Sequence, residues 1–215
     1  MTDREKVLEA INQHRCSAIL RTPLAEAVAP AMEAAVAGGF RIVEFTLTTP
    51  GALERIEEFA VNPELVVGAG TVLTVEEAEQ AVEAGARFLV SPVCDPRVIG
   101  WCRENQIVSI PGTYTATEMM TAHRAGADFV KLFPGPADGP AYVRAILGPL
   151  PFLRVFPTSG VTMENVADFF AAGAAGVGWV KVLFEPADLQ AGRFDQVRER
   201  AAKMVKLVKE APRGN

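Results

Sequence analysis

The sequence is poor in cysteine and histidine. Cys16, Cys94 and Cys102 are odd in number and form no CxxC pair, which argues against a disulfide framework or a thiolate zinc site and suggests a reducing compartment. His14 and His123 are the only histidines, and neither has a carboxylate or cysteine at ligand spacing, so no metal or cofactor is expected. No run of about 18 apolar residues exists that could span a bilayer. The N-terminal Met1-Thr2-Asp3-Arg4-Glu5-Lys6 opens a charged helix with no apolar signal core, so a soluble, cytoplasmic protein is expected. Positive charge is not in excess: 21 Lys and Arg stand against 26 Asp and Glu, for a net charge of −5. The charges are interspersed and form no basic stripe for a phosphodiester backbone, which argues against a nucleic-acid partner. Small anionic ligands remain allowed, because a few local donors hold them. No linker, charge block or low-complexity tract divides the 215 residues, and 49% of them are hydrophobic. One domain over 1–215 is the expectation.

What is present is alternation. Short β-branched runs near 17–21, 41–46, 65–70, 87–91, 107–110, 128–133, 153–158 and 175–179 are each followed by an amphipathic stretch, after an N-terminal helix near 3–14. Eight strand-helix units in a chain of this length predict an α/β fold, a (β/α)8 TIM barrel with an extra N-terminal helix. The competing Rossmann-like sheet lacks its fingerprint: no GxGxxG opens the first helix, and Gly68-Ala69-Gly70-Thr71 has no glycine at the next required position. Gly38-Gly39, Gly85, Gly126 and Gly173 stand where helices must end. Thr74 with Glu77, and Thr162 with Asn165, read as N-caps. Pro30 predicts a kink or a late start in the first long helix.

One residue stands out against this pattern. Lys131 lies inside the apolar run Ala127-Asp128-Phe129-Val130-Lys131-Leu132-Phe133. An ammonium group withdrawn from water must be paired or give up its proton, and the neutral amine is a nucleophile toward carbonyl groups. Barrel active sites lie at the C-terminal ends of the strands. The polar residues there are Arg21, Glu44, Thr46, Thr71, Ser91-Pro92, Pro111-Gly112, Lys131, Thr158-Ser159-Gly160 and Gly178. Period-two alternation puts Glu44 with Thr46, and Lys131 with Phe133, on one strand face each. An acid and an amine facing one interior can act together; the same pattern also fits a structural ion pair. Arg21 offers a planar fork suited to a carboxylate, and its charge favours a neutral lysine nearby. Backbone N–H groups after the seventh and eighth strands suit a phosphate.

Taken together, Val43-Glu44-Phe45-Thr46, Val67-Gly68-Ala69-Gly70-Thr71-Val72-Leu73, Ser91-Pro92, Ile110-Pro111-Gly112, Val130-Lys131-Leu132-Phe133-Pro134 and Phe156-Pro157-Thr158-Ser159-Gly160-Val161 resemble the 2-keto-3-deoxy-6-phosphogluconate / 4-hydroxy-2-oxoglutarate aldolase family, in order and over almost the whole chain. The resemblance implies a class I, metal-independent aldolase, commonly a homotrimer, that cleaves a 2-keto-4-hydroxy acid to pyruvate and an aldehyde. Lys131 matches the Schiff-base lysine and Glu44 the acid/base glutamate. Arg21 matches a substrate-contacting arginine, and Thr71, Pro92 and Phe133 match residues around the pyruvyl group. Thr158, Ser159, Gly160 and Gly178 fall on the phosphate-binding segments. Two departures follow. The segment after Glu44 reads Thr46-Leu47-Thr48-Thr49-Pro50, without the arginine some members carry, which leaves carboxylate binding to Arg21. Trp179 stands where many members have serine, and Ser159 where they have glycine; a bulky indole cannot replace a hydroxyl donor, so either Lys181 and the backbone hold a phosphate or the pocket takes a smaller or uncharged aldehyde half, such as glyoxylate from 4-hydroxy-2-oxoglutarate. Competing readings are a phosphate-binding barrel isomerase or synthase that forms no covalent adduct, and a barrel that has lost catalysis and only binds.

Overall fold

The computed structural model describes residues 1–212; the last three residues of the expected domain lie outside the described residues. Helix α1 (Asp3–His14) precedes β1 (Cys16–Leu20), and the chain then alternates through β2 (Ile42–Thr46), β3 (Val66–Gly70), β4 (Phe88–Val90), β5 (Val108–Ile110), β6 (Gly112–Thr113), β7 (Val130–Leu132), β8 (Val155–Pro157) and β9 (Val177–Trp179). The crossovers are α2 (Val28–Ala37), α3 (Ala52–Ala60), α4 (Val75–Glu83), α5 (Pro96–Glu104), α6 (Ala116–Ala125), α7 (Gly139–Leu147) and α8 (Val166–Ala171); α9 (Pro186–Gln190) and α10 (Phe194–Glu210) follow. Every strand pair is parallel, in the orders β5-β4-β3-β2-β1-β9 and β6-β7-β8. Backbone bonds join the two sheets at both seams, Lys131 N–H to Pro111 O at 2.8 Å and Ala175 N–H to Val155 O at 2.9 Å. The sheet thus curls into the predicted (β/α)8-type barrel. The fifth predicted strand forms as β5, and past Pro111, whose missing N–H interrupts the ladder, the two-residue β6 follows outside the predicted bounds.

Alternating side chains make two apolar layers. Outward residues such as Val43, Phe45, Val67 and Ala69 pack under the helices, while Ile42, Val66, Phe88, Val108, Phe129 and Phe156 fill the barrel interior. Val7 and Ile11, one turn apart on α1, join the interior set and stopper the N-terminal end. Burying each such side chain contributes roughly 1.5–3 kcal/mol. The opposite, C-terminal end is left to polar residues.

The helix punctuation is mostly as read. Thr2 and Thr74 form capping boxes with Glu5 and Glu77, and Gly39, Gly85, Gly126 and Gly173 take φ of 109°, 104°, 103° and 99°. Ahead of Pro30 the chain makes a 3-10 turn at Ala25–Ala27, and α2 starts late. Thr162 is a correction: it does not cap a helix. Its N–H donates to Oδ1 of Asn165 at 2.8 Å, Asn165 Nδ2 donates to Gly160 O at 2.8 Å, and α8 begins only at Val166. The side chain expected to extend the helix instead ties down the loop.

Candidate active site

Lys131 sits in the middle of β7, two residues beyond the interior Phe129, so its side chain also enters the barrel. It is 5% exposed, and Glu44 on β2 is 1% exposed. Gly70, on the neighbouring β3, gives Glu44 its room: a Cβ there would overlap Oε1 of the carboxylate. Charge couples the two ionisable groups, yet no direct ion pair joins them. Burial pushes the Glu44 carboxyl up to about 7, only partly opposed by Lys131 and Arg21. Burial likewise holds the Lys131 ammonium below the ordinary lysine range; the Glu44 charge opposes this and the Arg21 charge adds to it. The Lys131 Nζ lies 5.0 Å from the centre of the Phe133 ring. An amine biased toward its neutral form beside a carboxyl that titrates near neutrality is equipped to attack a carbonyl and to exchange a proton.

Arg21, one residue past β1, donates from Nη2 to Oγ1 of Thr71 at 3.0 Å. Thr71, one residue past β3, holds φ of 63°, a left-handed conformation that is costly for a β-branched residue. A cavity of about 360 Å3 opens beside these groups, lined by Ile19, Arg21, Lys131, Phe133, Thr158, Ser159, Gly160, Val161, Gly178, Val180, Lys181 and Val182. Arg21 and Lys181 line it beside Lys131 and no acidic residue does, which gives an anion a local site in a chain of negative net charge. Gly178 is small for a reason: a Cβ there would press on Ile19 and on Thr158 Cγ2, the latter at 2.8 Å.

Seven of the ten residues singled out from the sequence therefore line one cavity: Arg21, Lys131, Phe133, Thr158, Ser159, Gly160 and Gly178. Thr71 joins it through Arg21, and Glu44 lies behind Lys131 in the interior. Pro92 stands apart. It lines a neighbouring groove with Phe133 and Pro134, and its carbonyl packs so tightly on Gly112 that a Cβ there would clash. Thr46 turns its hydroxyl to Thr48 and Thr49, at 3.2 and 3.0 Å. His14 and His123 lie on α1 and α6, the latter against the Phe152 ring at 5.0 Å. Trp179 is 1% exposed, belongs to the layer under the helices and does not line the cavity. Gly178 is the inward residue of β9 and its neighbour must point outward, so the Trp179 indole neither fills the cavity nor offers it a donor. The sequence reading missed Ile19 and Val180, although the same parity rule, applied from Arg21 and Gly178, finds both.

A sequence profile of the KDPG and KHG aldolases matches residues 7–199. The chain belongs to this family. The 2-dehydro-3-deoxy-phosphogluconate aldolase of Treponema pallidum (strain Nichols) is 34% identical over 207 residues, 94% of this chain and 97% of that protein. The KHG/KDPG aldolase of Escherichia coli (strain K12) is 36% identical over 195 residues, covering 88% and 86%. The crystal structure of the KDPG aldolase from Legionella pneumophila, with pyruvate captured at low pH as a covalent carbinolamine intermediate, superimposes with a TM-score of 0.83 at 26% identity, covering 94% of this chain and 97% of that one. As a member of the KDPG and KHG aldolase family, the protein is an aldolase, a carbon-carbon lyase. Among the described residues no group of three or more His, Cys, Asp and Glu could hold a metal ion, and no helix is long and apolar enough to cross a membrane.

Proposed function

We propose that this aldolase cleaves a 2-keto-4-hydroxy acid, 2-keto-3-deoxy-6-phosphogluconate or 4-hydroxy-2-oxoglutarate, through a Schiff base on Lys131. The observation that carries the reading is the buried Lys131 amine, biased toward neutrality, lining a cationic cavity with Glu44 behind it. The Lys131 Nζ lone pair attacks the C2 ketone, and loss of water leaves a protonated imine that accepts an electron pair. Glu44, through a water, takes the C4 hydroxyl proton; the C3–C4 bond breaks, the aldehyde leaves and an enamine remains. The same carboxyl returns the proton to C3, and hydrolysis frees pyruvate and the neutral lysine. A carboxyl titrating near neutrality suits both directions of transfer.

Arg21 holds the substrate carboxylate, supported by Thr71, and Phe133 packs against the pyruvyl group with Pro92 behind it. Thr158, Ser159, Gly160 and Gly178 form the wall that receives the aldehyde half, with Lys181 at its rim. A homotrimer in the cytoplasm is part of the proposal. Leu73, Val93 and Tyr114, 43%, 49% and 38% exposed, stand on successive loops at the mouth of the barrel and give copies an apolar surface to share.

The test is incubation with pyruvate, reduction with borohydride and mapping of the adduct by mass spectrometry. The adduct is expected on Lys131 and absent from Lys131→Met. Folded protein that yields no adduct overturns the mechanism and favours a barrel enzyme without covalent catalysis. If the adduct forms, comparing cleavage of the phosphorylated and unphosphorylated acids decides the substrate.

A further inference from the structure

Ser17 has no part in the substrate cavity. It is a polar residue on β1, 3% exposed, facing the barrel interior opposite Gly178 of β9. The interior around it is apolar, so its hydroxyl needs a partner. Below Glu44, on the side toward α1, a small cavity of about 10 Å3 is lined by Ser17, Glu44 and Thr158 together with apolar residues including Ile11, Phe88 and Phe156. That volume is room for one water molecule, and a buried water requires about two to four polar partners. The three polar residues meet the requirement. Thr158, which this cavity shares with the substrate cavity, has its Oγ1 buried with no hydrogen-bond partner, and a water here would supply one.

We infer that Ser17, Glu44 and Thr158 hold a structural water behind the Glu44 carboxyl, and that Ser17 is a positioning residue for this acid/base group. This water is distinct from one that would meet substrate, because its cavity reaches Ile11 of α1 and is lined by neither Lys131 nor Arg21, Thr158 being the residue the two cavities share. It donates to the carboxylate from the rear and favours the ionised form. The charged groups facing Glu44 are Lys131 from β7 and Arg21 from the end of β1; β3, β4, β5 and α1 present no charge to it. Ser17 is thus the one neighbour on β1 that tunes Glu44 without touching substrate.

The inference rests on the proposed aldolase mechanism, and the test separates the two. In Ser17→Ala the acid limb of the kcat/KM profile is expected to move up by about one pH unit, a roughly tenfold loss on that limb, while pyruvate and borohydride still modify Lys131. Ser17→Cys, nearly isosteric with a poorer donor, should move the limb in the same direction and serves if the alanine variant does not fold. A variant profile that superimposes on the parent's overturns the role of Ser17. So does a crystal structure that resolves ordered water and leaves this cavity empty. Absence of the Lys131 adduct in the parent protein would instead overturn the aldolase mechanism.

Discussion

The Arg21 guanidinium reaches across fifty residues of sequence to donate a 3.0 Å hydrogen bond to Thr71 Oγ1, and Thr71 is held at φ of 63°. Strain of this kind costs on the order of 1–3 kcal/mol and persists where surrounding structure imposes it. Here it aims a hydroxyl at the one arginine that lines the substrate cavity.

Arg21→Met should raise KM for the keto acid about 10–100-fold through loss of a charge-assisted contact with its carboxylate. It should also move the acid limb of the rate profile to higher pH. The Arg21 charge lowers the proton affinity of both Lys131 and Glu44, and both must be deprotonated for cleavage to start. Steady-state kinetics across pH measures both effects.

Glu44→Gln should slow cleavage by about 10²–10⁴-fold while leaving the borohydride-trapped pyruvate adduct in place. Equal loss of adduct and turnover would show that Glu44 serves imine formation as well.

The same substitution should have a pH-dependent effect on stability. Burial raises the Glu44 carboxyl from its ordinary 4.5 to about 7 in the folded protein, so the folded state binds the proton more tightly. Its favourable contribution is complete below 4.5 and lost as pH rises to about 7. Glu44→Gln should therefore match the parent at low pH and exceed it at pH ~8 by on the order of 3 kcal/mol. Urea unfolding at both pH values checks this.

Gly70→Ala should leave a folded barrel with little activity. The added Cβ overlaps Glu44 Oε1, so the carboxyl must move; overpacking of this kind costs about 1–3 kcal/mol. A native circular dichroism spectrum, a lowered Tm and a turnover reduced by about 100-fold or more are expected.

Lys181→Met should weaken use of an aldehyde half bearing phosphate or carboxylate by about tenfold and leave neutral aldehydes within about twofold. Aldol addition of pyruvate to paired charged and neutral aldehydes measures the ratio. An unchanged ratio would show that the lysine stays in solvent and that backbone donors act alone.

The barrel was legible because its signals are local. Apart from the two-residue β6, each strand from Cys16–Leu20 to Val177–Trp179 lies in a short, mainly apolar run, and glycines at left-handed φ close four of the crossover helices. Lys131 and Glu44 were legible for the same reason: a charge inside an apolar strand conflicts with its neighbours within a few residues. Thr162 misled because a cap and a loop tie use the same side chains, and only packing decides where α8 begins. Trp179 was legible as a departure from the phosphate-loop pattern, but only the parity of β9 shows that its indole turns into the layer under the helices.

By itself the sequence determined the alternation of elements, the unusual lysine and the ring of polar strand ends. Hydrophobic period and backbone preference act over a few residues and are written in order along the chain. Only the tertiary structure decided that Arg21 meets Thr71, that Gly70 makes room for Glu44, that Trp179 turns away from the cavity and that Ser17 stands behind the acid. Each of these depends on the register between parallel strands distant in sequence, and a shift of one residue would reverse which side chains face the interior.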